Sequence, residues 1–279
     1  MIAPVSAASP TFIIIGDPVE HSLSPTVHMA GYAAAALPYV MIGARVERSN
    51  LRDAFLGIRA LGIRGVSITM PHKVESLALV DEVDPVAQEI GAINTVVNVG
   101  SGHLIGYNTD WLGVLHPLER LTPLKGARVA VLGAGGAANA AIFATAKKGA
   151  VVTVFNRTAA KAHEIATRWG CSADSIAQTT EWSRFDIIIN TTPVGMGALA
   201  EVSPLPDHTF LPHQIVFETI YSPLETRLLR DARQCSATVV TGAEMFLEQA
   251  LAQYELHTKT SAPRIEMERA LKTALEEKR

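Results

Sequence analysis

The sequence has very little cysteine: Cys171 and Cys235 are the only two among 279 residues. Two cysteines are too few for a disulfide framework, and their separation lacks the spacing of a metal site. We therefore predict no metal, and we expect a protein of the reducing cytoplasm whose two thiols have no chemical role.

Strong charge and long apolar runs are also missing. A net charge of −3 gives no overall field that would recruit nucleic acid or an acidic membrane. No stretch approaches the roughly 18 consecutive apolar residues of a membrane span. The first ten residues, MIAPVSAASP, lack the basic start and apolar run of a secretory signal, so we expect a loose tail. The expected partner is a small molecule rather than nucleic acid or a membrane, and the expected state is a monomer or homodimer.

The composition is that of a globular protein, with 48% hydrophobic and 18% charged residues. A chain of 279 residues can hold one large or two medium domains with proper cores. Short apolar runs, such as residues 11–16 and the run from Gly65 that stops at Pro71, alternate with longer helix-like segments. This alternation predicts the α/β fold class.

One strand–turn–helix–strand stretch, residues 128–161, dominates the second half of the chain. The apolar run 129–132 enters a turn, GAGGAA at 133–138, followed by an alanine-rich segment and a second apolar run at 151–155. The spacing fits G-x-G-x-x-A, in which glycines allow a dinucleotide pyrophosphate to approach a helix N-terminus. A glycine turn in some other α/β unit remains the alternative, although the flanking strand and helix favour dinucleotide binding. The predicted contacts are Gly133, Gly135, Gly136 and Ala137.

The end of the second strand predicts which dinucleotide binds. NAD-binding chains usually place an acidic residue there to accept the ribose 2′-hydroxyl. This chain has Asn156, Arg157 and Thr158, with Lys161 one helical turn later. A guanidinium can bind a 2′-phosphate that a carboxylate would repel, so we predict NADP. The alternative is that Arg157 is an ordinary solvated cation.

Two serines precede the first predicted helix. Ser22 and Ser24 stand beside Pro25, which can begin a helix, and their hydroxyl and backbone donors suit a small anion such as a carboxylate. A capping role for Ser24 is the alternative.

Polar residues follow two further strands. Thr69 and Lys73 flank the proline that ends the strand beginning at Gly65, at the carboxyl edge where open α/β sheets bind ligands. Asn94 and Asp110 lie between glycines and apolar strands, an unusual place for solvated side chains. A lysine, a carboxylate and an amide brought together would form a set for proton transfer and hydroxyl recognition.

The ordered set of motifs resembles the shikimate dehydrogenase family from about residue 11 to residue 258. The matching stretches are SLSPTVH at 22–28, SITMPHK at 67–73, GAINT at 91–95, GYNTDWLG at 106–113, GAGGAA at 133–138, NRT at 156–158, NTTPVGM at 190–196, IYSPLETRLL at 220–229 and GAEMFLEQA at 242–250.

The resemblance implies two domains: an N-terminal α/β substrate domain with a mainly parallel sheet, and a Rossmann-type NADP-binding domain, with a cleft between them. We assign residues 1–111 plus 242–279 to the substrate-binding and catalytic domain and residues 112–241 to the NADP-binding domain.

The resemblance also implies roles for individual residues. Ser22, Ser24 and Thr69 would hold the substrate carboxylate. Asn94, Asp110 and Gln249 would bind ring hydroxyls, with Tyr221 nearby. Lys73 and Asp110 would be the catalytic pair for reversible reduction of 3-dehydroshikimate by NADPH, and Thr191, Met196 and Gly242 would contact the cofactor.

The chain departs from the family pattern at a few positions. The family usually has Asn where this chain has Met29 and Ser67, and commonly Asp where it has Glu218. Ser67 lies near the expected hydroxyl contacts, and its shorter side chain could leave room for a different ring substituent. Quinate and aminoshikimate therefore remain alternative substrates, and a catalytically idle NADP-responsive binding protein is the alternative from another class.

Overall fold

The structure is a computed structural model that describes residues 5–176, 181–205 and 208–277. The chain forms two compact units. The first unit comprises residues 1–109 and 249–279, and the second comprises residues 110–248.

The helices and strands follow in chain order. Up to residue 109 they are β1 (Thr11–Gly16), α1 (Ser24–Ala34), β2 (Val40–Arg45), α2 (Leu51–Ala60), β3 (Gly65–Ile68), β4 (Glu82–Val83), α3 (Pro85–Ile90), β5 (Thr95–Asn98) and β6 (Leu104–Tyr107). From residue 110 they are α4 (Asp110–Glu119), β7 (Arg128–Leu132), α5 (Gly136–Ala146), β8 (Val151–Asn156), α6 (Ala159–Trp169), β9 (Ser172–Ser175), β10 (Ile187–Asn190), β11 (Ile215–Glu218), α7 (Arg227–Gln234), β12 (Thr238–Val240), α8 (Gly242–Thr258) and α9 (Arg264–Glu276).

The first unit contains a six-stranded sheet in the order β2-β1-β3-β5-β6-β4. Strand β1 pairs in parallel with β2 and β3, whereas β5 is antiparallel to β3 and β6. The isoleucines of β1 and the residues of β3 are buried, as expected for inner strands covered on both faces. The predicted, mainly parallel sheet is therefore confirmed.

The second unit contains a wholly parallel sheet in the order β12-β11-β10-β7-β8-β9. The first strand of this unit, β7, lies in the middle of the sheet, and β8 and β9 follow on one side of it. The remaining strands β10, β11 and β12 follow in order on the other side. This is the doubly wound order of dinucleotide-binding domains, and its switch point lies between β7 and β10. Ligands of such sheets bind outside the carboxyl ends of the strands at that point.

Helix α5 packs closely on this sheet because its side chains are small. Ala138, Ala140 and Ala141 are fully buried, together with Ile142. An alanine face lets the helix axis approach the strands, which keeps the N-terminus of α5 near the end of β7.

Sequence patterns predicted strands such as β1, β3, β7 and β8 but missed the helix α3 and the strands β4, β6 and β9. Helix α3 has only six residues, and its signals are local: Asp84 accepts hydrogen bonds from two backbone N–H groups at the N-cap, and Gly91 ends the helix with φ 74°. Strand β9 has the sequence SADS and lies at the sheet edge, where no apolar run is needed. No helix in the described ranges is long and apolar enough to span a membrane.

Two of the buried histidines of the first unit, His28 and His257, lie near each other. The rings of His28 on α1 and His257 on α8 lie 6.1 Å apart, and both residues are buried. No ring nitrogen of either residue makes a hydrogen bond of standard geometry to another described residue. Burial lowers the pKa of His28 to about 4 and that of His257 to about 3. Both side chains are therefore held neutral in the folded protein at pH values where a solvated histidine is charged.

Acid should consequently destabilise the protein in a defined window. Below the ordinary histidine pKa of about 6.5, the unfolded chain binds protons that the folded chain cannot accept. The free energy of unfolding should therefore be highest above that value and fall as the pH drops below it. The fall should continue to about pH 4 for His28 and to about pH 3 for His257. Urea unfolding followed by far-ultraviolet circular dichroism at several pH values measures this loss.

The variant His28→Leu tests the cause of the acid effect. It should flatten the pH dependence of the urea midpoint between the ordinary histidine pKa and about 4. His163→Leu is the matched control, since His163 is exposed on α6. An unaltered slope in His28→Leu would show that His28 is not responsible.

Candidate active site

The backbone around Lys73 is fixed on two sides within the first unit. Beyond β3, the Thr69 N–H donates to the Ile15 carbonyl at 3.0 Å. The Lys73 carbonyl accepts from the Ile93 N–H at 2.9 Å. The segment 69–73 therefore runs between the end of β1 and the GAINT segment, with the Lys73 side chain partly exposed.

His72 adds a buried anchor to this segment. The side chain is fully buried, and its Nε2 lies 2.7 Å from the Val46 carbonyl oxygen. Because a carbonyl only accepts, Nε2 carries the hydrogen and donates. Sequence reasoning missed this residue, because a histidine next to a candidate lysine gives no signal of which neighbour it contacts.

Asn94 is the centre of a buried polar cluster. Its Oδ1 accepts from the Thr109 N–H and from the Thr95 hydroxyl, each at 2.8 Å. Its Nδ2 donates to the Thr109 hydroxyl at 2.9 Å and lies 3.5 Å from Oε1 of Gln249 on α8. The structure thus brings Asn94 and Gln249 together, and Asp110 follows Thr109 directly in the chain.

The Asn94 backbone connects this cluster to the lysine segment. The Asn94 carbonyl accepts from the Ile68 N–H at 2.7 Å, next to Thr69. The preceding residue, Ile93, donates to Lys73. Thr69, Lys73 and Asn94, separated in the sequence, therefore lie on adjoining backbone segments at one end of the sheet.

Ser24 is not a helix cap, so the capping interpretation is wrong. The N-cap of α1 is Leu23, which supplies no side-chain cap, and Ser24 is the first helical residue. The Ser24 N–H donates to the Ser22 hydroxyl oxygen at 3.2 Å, and Ser24 is buried while Ser22 is partly exposed. The two serines are thus neighbours at the start of α1, where hydroxyl and backbone donors suit an anion.

Ser67 is already hydrogen-bonded. Its hydroxyl donates to Oε1 of Gln253 at 2.6 Å, and the pair is buried. Gln253 Nε2 in turn donates to the Thr95 hydroxyl at 2.8 Å and to the Asn94 carbonyl at 3.1 Å. The residue that sequence reasoning missed here is Gln253, which lies one helical turn after Gln249 on α8 and so projects from the same side of that helix.

In the second unit, Gly133 turns the chain directly after β7. Its φ of +114° favours glycine, and its N–H donates to the Phe155 carbonyl at 2.7 Å. A Cβ at this position would lie 2.5 Å from Oγ1 of Thr191. The Thr191 hydroxyl donates to the Leu132 carbonyl at 2.7 Å, so the ends of β7 and β10 are joined beside the glycine turn.

The next glycines open the N-terminus of α5. Gly135 is the N-cap and supplies no side-chain cap, and Gly136 and Ala137 are the first helical residues. A Cβ added at Gly135 or Gly136 would meet no described atom within 4 Å. The start of α5 therefore has room beside these two glycines, which fits a pyrophosphate at this position.

The basic residues after β8 lie beside a second helix start. Asn156 Nδ2 donates to the Thr158 carbonyl at 3.0 Å, and Thr158 is the N-cap of α6 without a side-chain cap. Arg157 and Lys161 are exposed. Neither forms an ion pair with an acidic residue of the described chain, so both charges are available to an anionic ligand.

The candidate residues after β10 and β11 lie on two neighbouring turns. Met196 is 39% exposed in the loop after β10. Gly242 lies against the backbone after β11, and a Cβ there would be 2.1 Å from the Ile220 carbonyl oxygen. The ring centroids of Tyr221 and Phe246 lie 5.1 Å apart. Burial raises the pKa of the Tyr221 hydroxyl.

The doubly wound parallel sheet with an open glycine turn identifies the second unit as a dinucleotide-binding domain. Combined with an α/β unit that carries a lysine and a buried amide cluster, it gives the architecture of a two-domain dehydrogenase. Family models match the chain as the shikimate dehydrogenase substrate binding domain at residues 14–96, as shikimate / quinate 5-dehydrogenase at residues 118–195 and as the shikimate 5′-dehydrogenase C-terminal domain at residues 242–272. The chain belongs to the shikimate dehydrogenase family, which confirms the resemblance found in its motifs.

Individual relatives agree with this assignment. The chain is 40% identical to the shikimate dehydrogenase (NADP⁺) of Moorella thermoacetica, over 97% of this chain and 95% of that protein. It is similar to the Thermus thermophilus shikimate 5-dehydrogenase solved with NADP(H) and shikimate, at 36% identity, with a TM-score of 0.87 over 95% of this chain and 100% of that one. It is also similar to the quinate dehydrogenase of Corynebacterium glutamicum solved with NAD, at 26% identity and a TM-score of 0.88, over 95% and 99% of the two chains.

Proposed function

We propose that the protein is an NADP-dependent shikimate dehydrogenase that catalyses the reversible reduction of 3-dehydroshikimate to shikimate. The observation that carries the proposal is the hydrogen-bonded connection of the Lys73 segment to Asn94, and of Asn94 to Thr109 directly before Asp110. Family membership and the NADP-dependent relatives support the same activity.

The residues of the second unit fit NADP. The open helix start at Gly135 and Gly136 suits the pyrophosphate. Arg157 and Lys161 suit a 2′-phosphate, because two cations without acidic partners in the described chain gain a strong interaction from a dianionic group. Asn156, Thr158 and Thr191 would contact the adenosine side and the middle of the cofactor, and Met196 and Gly242 would contact its nicotinamide end. When bound, NADPH supplies the hydride for the carbonyl carbon.

A second set of predicted residues would hold the substrate and move its proton. Ser22, Ser24 and Thr69 bind the carboxylate, and Asn94, Asp110 and Gln249 bind ring hydroxyls, with Tyr221 nearby. As the carbonyl carbon gains hydride, its oxygen becomes negative. Lys73 donates a hydrogen bond to that oxygen and then gives it a proton, while Asp110 orients the ammonium group. In the reverse direction Lys73 accepts the hydroxyl proton.

The Ser67 contact favours shikimate over a bulkier ring. Beside β3, the Ser67 hydroxyl donates to Gln253, which is itself buried. The Ser67 hydrogen is therefore not available to an additional substituent such as the extra hydroxyl of quinate. A substrate hydroxyl that needed a donor at this position would stay unpartnered, which would oppose binding of that substrate.

A substrate panel tests the proposal. Shikimate, quinate and aminoshikimate are each assayed with NADP⁺ and NAD⁺, and the absorbance of the reduced cofactor is followed. We expect the highest kcat/KM for shikimate with NADP⁺. A higher value for quinate or aminoshikimate would make that compound the substrate, and absence of turnover with every pair would favour the idle binding protein.

A further inference from the structure

A carboxyl group without a cation lies buried in the second unit. Glu218, at the end of β11, is fully buried, and it forms no ion pair within the described residues. Asn190 Nδ2 lies 3.0 Å from each of its oxygens. The Ile220 N–H donates to Oε1 at 3.1 Å and the Thr226 hydroxyl to Oε2 at 3.0 Å. A side chain that only accepts, as a carboxylate does, matches these donors.

Asn190, the partner of Glu218, also forms hydrogen bonds with the loop after β10. The same Nδ2 donates to the Val194 carbonyl at 3.1 Å. Asn190 Oδ1 accepts from the Thr192 N–H at 3.0 Å and from the Thr192 hydroxyl at 2.7 Å. The loop 190–196, which contains Thr191 and Met196, is therefore held from inside by one amide, and Glu218 fixes that amide.

The other partners of Glu218 hold neighbouring segments. Thr226 is the N-cap of α7, and its methyl group lies 3.2 Å from where a Cβ of Gly195 would be, so the loop 190–196 packs against it. Ile220 leads into Tyr221, and Gly242 lies against the Ile220 carbonyl. One carboxyl group thus joins the loop, the turn after β11 and the start of α7.

We propose that Glu218 is a positioning residue that holds the loop 190–196 in the conformation required by the nicotinamide half of NADP. It acts through Asn190 and touches neither substrate nor cofactor. The proposal rests on the proposed function, because it assumes that Thr191 and Met196 border the bound dinucleotide.

The charge of Glu218, and not only its shape, is expected to matter. Burial raises the pKa of its carboxyl group to about 7, and the hydrogen bonds from Asn190, Ile220 and Thr226 act in the opposite direction. In Glu218→Gln the side chain keeps its size, but Asn190 Nδ2 lies 3.0 Å from both carboxylate oxygens, so the new NH₂ group faces that donor in either orientation. A donor facing a donor loses one hydrogen bond and pushes the two side chains apart.

The test uses the full-length protein and compares the binding of NADPH with the binding of a ligand that has only the adenosine half of NADPH. Glu218→Gln should weaken NADPH binding by about tenfold, the equivalent of one hydrogen bond to a charged group. Binding of adenosine 2′,5′-bisphosphate, which carries the 2′-phosphate but no nicotinamide, should be unchanged. Titration calorimetry with each ligand gives both constants, and kcat with a saturating cofactor shows whether hydride transfer is also slowed.

Two further variants make the comparison decisive. Glu218→Asp keeps the charge on a shorter side chain and should recover part of the lost NADPH affinity; it also replaces Glu218→Gln if the latter does not fold. Glu225→Gln is the matched control, since it removes an exposed carboxylate from the same segment and should change the binding of neither ligand.

The outcomes separate the inference from the proposed function. Equal weakening of both ligands in the Glu218 variants would indicate general destabilisation and overturn the positioning role, and so would unchanged NADPH binding in a folded variant. If the wild-type protein itself bound no NADPH, the proposed function would fail instead.

Discussion

Replacing Lys73 by alanine is expected to lower kcat by about 10²- to 10⁴-fold, the usual contribution of a positioned proton donor. The KM for shikimate should change much less, because the proposed function assigns the carboxylate and ring hydroxyls to other residues. Steady-state kinetics in both reaction directions measure the two constants separately. A loss confined to kcat is typical of an interaction made mainly in the transition state.

Two variants control for charge and for the lysine position. Lys73→Arg keeps a positive charge but replaces the ammonium group by a guanidinium that does not give up its proton, so its kcat should stay low. Lys272→Ala removes an exposed lysine from α9 in the same unit and should have wild-type kinetics. An unchanged kcat in Lys73→Ala would remove this lysine from the proposed mechanism.

Replacing Arg157 by alanine should change the preference between cofactors. Arg157 is exposed after β8 and has no acidic partner in the described chain, so its guanidinium can form paired hydrogen bonds with a 2′-phosphate. Losing hydrogen bonds to a charged group should raise the KM for NADP⁺ by about 10- to 100-fold. The KM for NAD⁺, which has no 2′-phosphate, should be nearly unchanged.

The control for this prediction lies on the following helix. Arg168→Ala removes an equal charge near the far end of α6, where the guanidinium lies 5.5 Å over the Trp169 ring. It should leave both KM values as they are. An equal loss with NADP⁺ and NAD⁺ in Arg157→Ala would refute the 2′-phosphate contact.

Together the two predictions address separate halves of the proposed reaction. The proposed proton donor, Lys73, belongs to the first unit, whereas the proposed 2′-phosphate contact, Arg157, belongs to the second. A protein that failed the first test and passed the second would be an NADP-binding member of the family without the proposed chemistry. This outcome would favour the idle binding protein.

Local patterns explain why much of the fold was predictable. The run at β1 was predicted with the bounds that the structure has, because three isoleucines before a glycine need burial on both faces. The glycine turn after β7 was predictable for a similar reason: Gly133 adopts a positive φ that other residues avoid. The short helix α3 and the polar edge strand β9 were missed because neither contributes an extended apolar pattern.

The sequence predicted which residues belong to the candidate site, but it did not predict which residues they contact. Motifs indicated Ser24, Ser67 and Asn94, yet no sequence pattern identified their partners. Ser24 was open to interpretation as a helix cap, and the structure gives that role to no side chain. The short side chain of Ser67 was interpreted as leaving room near the substrate. In the structure its hydroxyl donates a hydrogen bond to Gln253, 186 residues away in the sequence.

The amino-acid sequence by itself determined the α/β class, the glycine turn of the dinucleotide-binding stretch and the family, because hydrophobic periodicity, glycine turns and motif order are properties of short stretches of chain. Only the tertiary structure decided that Asn94 pairs with Thr109, that Ser67 pairs with Gln253 and that Glu218 pairs with Asn190. Such pairings depend on strand register and on how deeply each group is buried. A buried polar group must find a partner, and which partner lies within about 3 Å is settled when distant segments pack together.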